Sequence, residues 1–132
     1  MKCVFDNNLP PKLARALNEL EGEYGIAVVH LRDEFPANTD DITWIKELGK
    51  EPECFVITKD RNIKRNPHEK KAWEESGLNI VFLQKSWFNH DLWEISWRMV
   101  KRWRELREKV ATMKRDQVIV LPITGKIELL KK

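Results

Sequence analysis

The sequence predicts an α/β protein, a three-layer α/β/α sandwich around a mainly parallel central sheet, formed as a single domain over residues 1–132. Three observations predict it. Short apolar runs recur without polar alternation, which is how strands read when both faces of their sheet are covered. Stretches with apolar residues three and four apart separate these runs, so helices connect the strands. The 132 residues, 42% of them hydrophobic, suffice for one core and leave little for a second.

The first strand is Lys2–Phe5, ending at Asp6. Pro10-Pro11 opens a helix that carries Leu13, Leu17 and Leu20 on one face, and Gly22 and Gly25 close it. Ile26–Leu31 is the second strand. Thr39-Asp40-Asp41 starts a helix with Ile42, Ile45 and Leu48 on its apolar side, stopped by Gly49. Cys54–Thr58 is the third strand and runs into Lys59-Asp60. Asn66-Pro67-His68-Glu69 reads as an N-cap, a proline at N1 and a capping-box glutamate at N3 of a helix ending at Gly77. Asn79–Leu83 is the fourth strand. The longest element is a helix over about Asp91–Met113, with an apolar stripe through Leu92, Ile95, Met99, Trp103, Leu106, Val110 and Met113. Val118–Leu121 is the fifth strand, and Gly125 turns the chain into Ile127–Leu130.

Several classes are excluded. No apolar run approaches the roughly 20 residues of a membrane span, and the N-terminus meets Asp6 after three apolar residues, too soon for a signal-peptide core. The expected location is the cytoplasm. Cys3 and Cys54 each lie in an apolar run and read as small core residues, with no disulfide and no zinc. Charge is unevenly spread. Residues 1–60 hold 7 Lys+Arg against 12 Asp+Glu, and residues 61–132 hold 17 against 9. An acidic half beside a basic half suits a cation site next to a polyanion surface, and equally a solvated surface segregated by chance.

In a parallel sheet every strand-to-helix junction lies on the carboxyl edge, where such folds place ligands. Asp6 follows strand one, Asp60 follows strand three, and Asp41 begins the helix after strand two. Gathered carboxylates repel unless a cation compensates them, and hard oxygen ligands select Mg²⁺ or Mn²⁺. Taken alone, Asp41 is an ordinary N-cap and Asp60 an ordinary turn residue. Asp40 is either a further ligand or the residue that caps the helix. Asn8 and Thr58 are candidate supporting residues, the first as a hydrogen-bond partner to a carboxylate or as a helix cap, the second to orient Asp60. His30 reads as a hydrogen-bonded core residue and His68 as a surface one.

The segment Phe5-Asp6-Asn7-Asn8-Leu9-Pro10-Pro11-Lys12-Leu13-Ala14 resembles the opening of the prokaryotic PIN-like domains related to VapC-type toxins, with their D-x-N-L-P pattern after strand one. Asp41-Ile42-Thr43-Trp44 is similar to the family's D-x-x-[ILW] helix start, Thr58-Lys59-Asp60 to its T-x-D strand ending, and Arg65-Asn66-Pro67-His68-Glu69 to an R-N-P-x-E segment. The similarity spans roughly residues 2–85. It implies a PIN-type fold and a ribonuclease site with Mg²⁺ or Mn²⁺ held by Asp6, Asp41 and Asp60. It further implies RNA as substrate and the toxin of a toxin–antitoxin pair as the setting, with an antitoxin protein or a second copy of the chain as partner. Two departures make the site less acidic than in many relatives, Asn7 where they carry Glu and Asn62 where they carry Asp. These favour a second reading, a catalytically weak module that binds RNA or a protein. A metal-dependent phosphotransfer domain is a third, disfavoured by the lack of Asp-x-Asp after strand one.

The basic residues divide into two groups. Arg61, Lys64 and Arg65 directly follow Asp60 and would grip phosphates beside the acids. The long helix carries eight Lys and Arg against Glu105 and Glu108 between Arg98 and Arg115, and burial of its apolar stripe is expected to leave Arg98, Lys101 and Arg102 on an outer, RNA-binding surface. An acidic antitoxin is the rival occupant of that surface. Of the six tryptophans, Trp44 and Trp103 read as core, while Trp87 and Trp97 are candidates to stack on unpaired bases.

Overall fold

A computed structural model describes residues 1–22, 24–60 and 66–131, with the Lys131 side chain left aside. The strands are β1 (Lys2–Phe5), β2 (Ala27–His30), β3 (Cys54–Thr58), β4 (Asn79–Leu83), β5 (Val118–Leu121) and β6 (Glu128–Lys131). The helices are α1 (Pro11–Glu21), α2 (Leu31–Glu34), α3 (Asp41–Gly49), α4 (Pro67–Ser76) and α5 (Leu92–Val110), with a 3-10 turn at Lys85–Trp87. All six strands join one sheet in the order β2-β1-β3-β4-β5-β6. Every pairing is parallel except β5 with β6. The architecture is the α/β/α sandwich expected, built on a doubly wound sheet.

Each inner strand buries alternate residues on opposite faces. Cys3, Phe5, Phe55, Ile57, Val81, Leu83, Ile119 and Leu121 pack on one side with Leu13 and Leu17 of α1 and Ile95, Met99, Trp103 and Leu106 of α5. Val4, Val56, Ile80, Phe82, Val118 and Val120 pack on the other with Trp44, Ile45 and Leu48 of α3 and Ala72 and Trp73 of α4. Both faces being covered, the strands carry no polar alternation. This is the property that made them readable.

Connectivity reverses at β1, whose neighbours are β2 on one side and β3 on the other. The carboxyl ends of β1 and β3 flank that switch point, which in open α/β sheets forms a crevice. Register is tight there. Phe5 pairs with His30 and with Ile57, and the Asp6 amide continues the ladder to the Ile57 carbonyl at 3.1 Å. Asp6 and Thr58 therefore stand side by side.

Several expectations are corrected. The second strand stops at His30, because the His30 Nδ1 accepts the Arg32 amide at 3.1 Å and caps a four-residue helix. Leu20 does not join Leu13 and Leu17 in the core and is exposed. The long helix begins after Asp91, whose carboxylate caps it through the Glu94 amide, and ends at Val110 rather than Met113. Trp87 is 1% exposed and donates its indole N–H to the Leu121 carbonyl, so it offers no face for stacking. Arg102 is 8% exposed, not on the outer surface. Its guanidinium donates to the carbonyls of Pro122, Ile123 and Gly125 and to Glu105, and so fastens the β5–β6 connection to α5.

Candidate functional site

Asp6 sits one residue beyond β1 with both carboxylate oxygens engaged. The Asn7 amide donates to Oδ1 at 2.8 Å and the Thr58 hydroxyl to Oδ2 at 2.8 Å. Thr58 is fully buried and its Oγ1 also accepts the Asp60 amide at 3.0 Å. One hydroxyl thus orients the Asp6 carboxylate and the backbone at Asp60. Asn8 is exposed and does not cap α1, whose N-cap residue is Pro10 with no side-chain cap bond. The loop that carries Asp6 and Asn8 is instead held by buried His30, which pairs through Nε2 with the Leu9 carbonyl at 2.8 Å. Since the same ring accepts the Arg32 amide at Nδ1, its proton lies on Nε2.

Asp41 is the first residue of α3. Asp40 caps that helix, accepting the Thr43 amide at 2.7 Å, which leaves the Asp41 carboxylate to other partners. The Trp44 indole N–H donates to Asp41 Oδ1 at 3.0 Å. Trp44 is core, as expected, but its polar edge also positions an acid. The spacing i,i+3 in Asp41-Ile42-Thr43-Trp44 carries that signal, since such residues share a helix face.

A fourth carboxylate belongs to this edge. Asn66 caps α4 by accepting the His68 and Glu69 amides, and Glu69 in the first turn reaches the Asp41 carboxylate. Burial raises the Glu69 pKa above its ordinary value, with the Asp41 charge, a shared hydrogen bond to Asp41, and the charges of Asp60 and Asp6 adding to it. Burial also raises the Asp6 pKa, against the two hydrogen bonds, and the charges of Asp41 and Asp60 push it further. Four acids from three strand-to-helix connections therefore share one field. Read as a capping-box residue, Glu69 escapes notice in the sequence. Its place one turn into the helix after Asp60 is the clue.

This donor set suits a hard divalent cation in kind, all oxygen and negatively charged. As built, no three His, Cys, Asp or Glu side chains among the described residues stand close enough to enclose a metal ion. The acids form an open rim.

Beside the acids runs a groove of ≈ 670 Å³ bounded by Asn7, Asn8, Lys12, Arg15, Arg32, Lys59 and the start of α5 at Leu92 and Ile95. Among the described residues, four cations line it. Arg15 is paired with Asp33 at 2.9 Å on the surface, and the Lys59 ammonium lies 5.7 Å from the Phe88 ring centroid. Arg61, Asn62, Lys64 and Arg65 lie outside the described residues. On α5, Arg98 is partly buried and bonded to Glu94, and Lys101 is exposed. His68 is exposed, and His90 pairs with the Ser86 carbonyl.

Acids collected at the switch point of a doubly wound sheet, with cations alongside, sit on an α/β fold whose family, of nuclease type in general, is given by comparison. Residues 1–85 match the family model described as a PIN-like domain, and the chain belongs to that family. α5, β5 and β6 lie beyond the matched residues. Comparison with curated proteins and with solved structures gives no match.

Proposed function

We propose that this PIN-like protein is a divalent-metal-dependent endoribonuclease, a single domain acting in the cytoplasm as the toxin of a VapC-like toxin–antitoxin pair. The observation that carries the reading is the set of Asp6, Asp41, Asp60 and Glu69 at one edge, where burial first and the charges of the neighbouring acids next raise the pKa of Asp6 and Glu69. Such an arrangement costs stability unless a cation compensates it, and groups perturbed in this way cluster at functional sites. Asp6, Asp41 and Asp60 would hold the ion and Glu69 would extend the rim. A bound Mg²⁺ or Mn²⁺ supplies a Lewis acid and positive charge opposite the scissile phosphate.

The chain's own residues do the rest. Thr58 and Asn7 fix the Asp6 oxygens, and Trp44 fixes one oxygen of Asp41. Lys12, Arg15, Arg32 and Lys59 hold phosphates on one side of the acids, with Arg61, Lys64 and Arg65 following Asp60 in the chain. Cleavage of an RNA oligonucleotide in Mg²⁺ or Mn²⁺ tests this. Asp6→Asn or Asp60→Asn should lower the rate on the order of a hundredfold or more, and EDTA should abolish it. Full activity in EDTA, or in either variant, would sink the mechanism.

The second reading is a catalytically weak module that binds RNA or a protein partner. It is favoured by Asn7 beside Asp6 and by the open spacing of the acids. Under it, the protein binds RNA with the same affinity in EDTA and cleaves nothing.

A further inference from the structure

α5 is apolar on two sides. Ile95, Met99, Trp103, Leu106 and Val110 pack on the sheet and are buried. Trp93, Trp97 and Val100, spaced by four and three residues, share another side and are exposed, Trp93 at 83%. The neighbouring helix continues this surface. Leu20 near the end of α1 and Tyr24 just beyond it are exposed as well, Tyr24 at 79%. Leu20, Tyr24 and Val100 line a groove of ≈ 680 Å³ between the two helices, together with Lys101, Arg104 and Arg107. The Lys101 ammonium in turn lies 5.8 Å from the Trp97 ring centroid, so groove and rings form one face. An apolar surface spread over two helices and rimmed by charge marks an interaction site.

The charge on this face has one sign in excess. α5 carries six Lys and Arg against three Glu. Arg98 is paired with Glu94 and lies 4.6 Å from the Trp97 ring centroid, and Arg107 is tied to buried Glu21. Lys101 and Arg104 are exposed and, among the described residues, meet no carboxylate. Two copies of such a face repel each other, so the complement is anionic.

We propose that the outer face of α1 and α5 docks the protein on an anionic lipid bilayer. Indole and phenol rings are apolar in body and polar at the tip, and they settle at the boundary between headgroups and acyl chains. Trp93, Trp97 and Tyr24 supply such rings, with Leu20 and Val100 between them. Lys101 and Arg104 lay long apolar stems along that surface and hold their charges among headgroup phosphates. A fluid bilayer accepts projecting rings without a matching pocket, whereas a protein partner seats its anchors in shaped, desolvated pockets. Trp93 and Tyr24 project, and Trp97 already carries its own Arg98 over the ring, which suits lipid better than protein. The proposal stands apart from the nuclease reading. Asp41 and Glu69 belong to α3 and α4 in the opposite layer, so docking does not cover them. α5 also lies beyond residues 1–85, so the family match does not supply the surface.

The test sediments the full chain with vesicles of phosphatidylcholine alone, or of phosphatidylcholine with an equal part of phosphatidylglycerol. The protein should pellet with the anionic vesicles, less so as salt rises, and stay in solution with the neutral ones. Trp44, Trp73, Trp87 and Trp103 are buried, so quenching by brominated acyl chains reports Trp93 and Trp97. Lys101→Ser and Arg104→Ser should each lower vesicle affinity about fivefold, and Trp93→Ala and Trp97→Ala each about tenfold. Lys71→Ser on α4 removes the same charge from the opposite layer and should change little. All these side chains are exposed, so the variants should melt with the wild type, and lipid preference and salt dependence are read on the wild type itself. Failure to pellet, equal pelleting with neutral vesicles, or unchanged affinity in the double tryptophan variant overturns the proposal. A loss in Lys71→Ser as large as in Lys101→Ser also overturns it, since net charge rather than this face would then do the binding. A chain that ignores both vesicles but binds polyglutamate assigns the face to an acidic protein instead.

Discussion

The Thr58 hydroxyl donates to Asp6 and accepts from the Asp60 amide, so one side chain aligns two of the acids. Thr58→Val keeps the shape and removes both bonds. It should cost about 1–3 kcal/mol of stability and weaken metal binding, whereas Thr58→Ser should restore both. Denaturant unfolding with and without Mn²⁺ checks this, and an unaffected Thr58→Val would contradict it. The acids themselves give a pH signature. Burial and neighbouring charge raise the folded-state pKa of Asp6 above its unfolded value. Below the unfolded value, near 4, both states are protonated and the residue contributes nothing. As pH rises from the unfolded value toward the folded one, the native state holds a proton that the unfolded chain has released, and stability falls until the folded value is passed. In EDTA, Asp6→Asn should therefore gain on the wild type as pH rises from about 4 toward neutrality, then hold its lead. A difference flat across that range would remove repulsion from the account. Little of this was legible in the sequence. Asp6 and Asp60 could be assigned to strand ends and Thr58 to orienting Asp60, but the bond from Thr58 to Asp6 is defined by register, and register is not a sequence pattern.

At the scale of elements, α3 and α4 lie close enough to bring Asp41 and Glu69 together. A Cβ built on Gly49 of α3 would come within 2.8 Å of the Ser76 Cβ of α4, with Ser76 backbone at 3.0 and 3.1 Å. Gly49→Ala must push the helices apart. We expect a loss of about 1–3 kcal/mol and weaker Mn²⁺ affinity, and a calorimetric titration matching wild type would refute the coupling. The sequence offers Gly49 as a helix stop. Its packing role emerges only once the two helices are neighbours. On the opposite face, α5 shows the limit of reading by charge. Its apolar stripe predicted burial of Met99, Trp103, Leu106 and Val110 correctly. Arg102, one residue from that stripe, is drawn inward by three carbonyls of the β5–β6 connection. Arg102→Ala should destabilise by about 2–4 kcal/mol, because buried carbonyls lose a charged donor, while Lys101→Ala on the surface should change stability by less than about 0.5 kcal/mol. Thermal melts of the two variants decide it. Equal effects would mean that Arg102 does not fasten the loop.

Across the whole molecule, the layered architecture follows from chain properties that the sequence displays openly. Val4, Val56, Ile80 and Val118 alternate with Cys3, Phe55, Val81 and Ile119 because helices cover both faces, and no helix among the described residues is long and apolar enough to cross a membrane. That pattern implied a parallel sheet, and a parallel sheet implied one edge for Asp6, Asp41 and Asp60. What it could not imply was the switch point at β1, since strand order depends on which runs pair. The antiparallel return of β6 and the inclusion of Glu69 likewise depend on contacts distant in the chain. The acids raise one another's cost in the folded state, so a cation that binds only there should stabilise the protein by about 2.7 kcal/mol at a hundredfold excess over its dissociation constant. The most direct measurement is thermal unfolding of the wild type and Asp6→Asn at neutral pH, in EDTA and across a Mn²⁺ titration. The account predicts that Asp6→Asn melts higher than wild type in EDTA, and that wild type rises with Mn²⁺ while the variant responds weakly. Melting temperatures indifferent to Mn²⁺ in both proteins would contradict it.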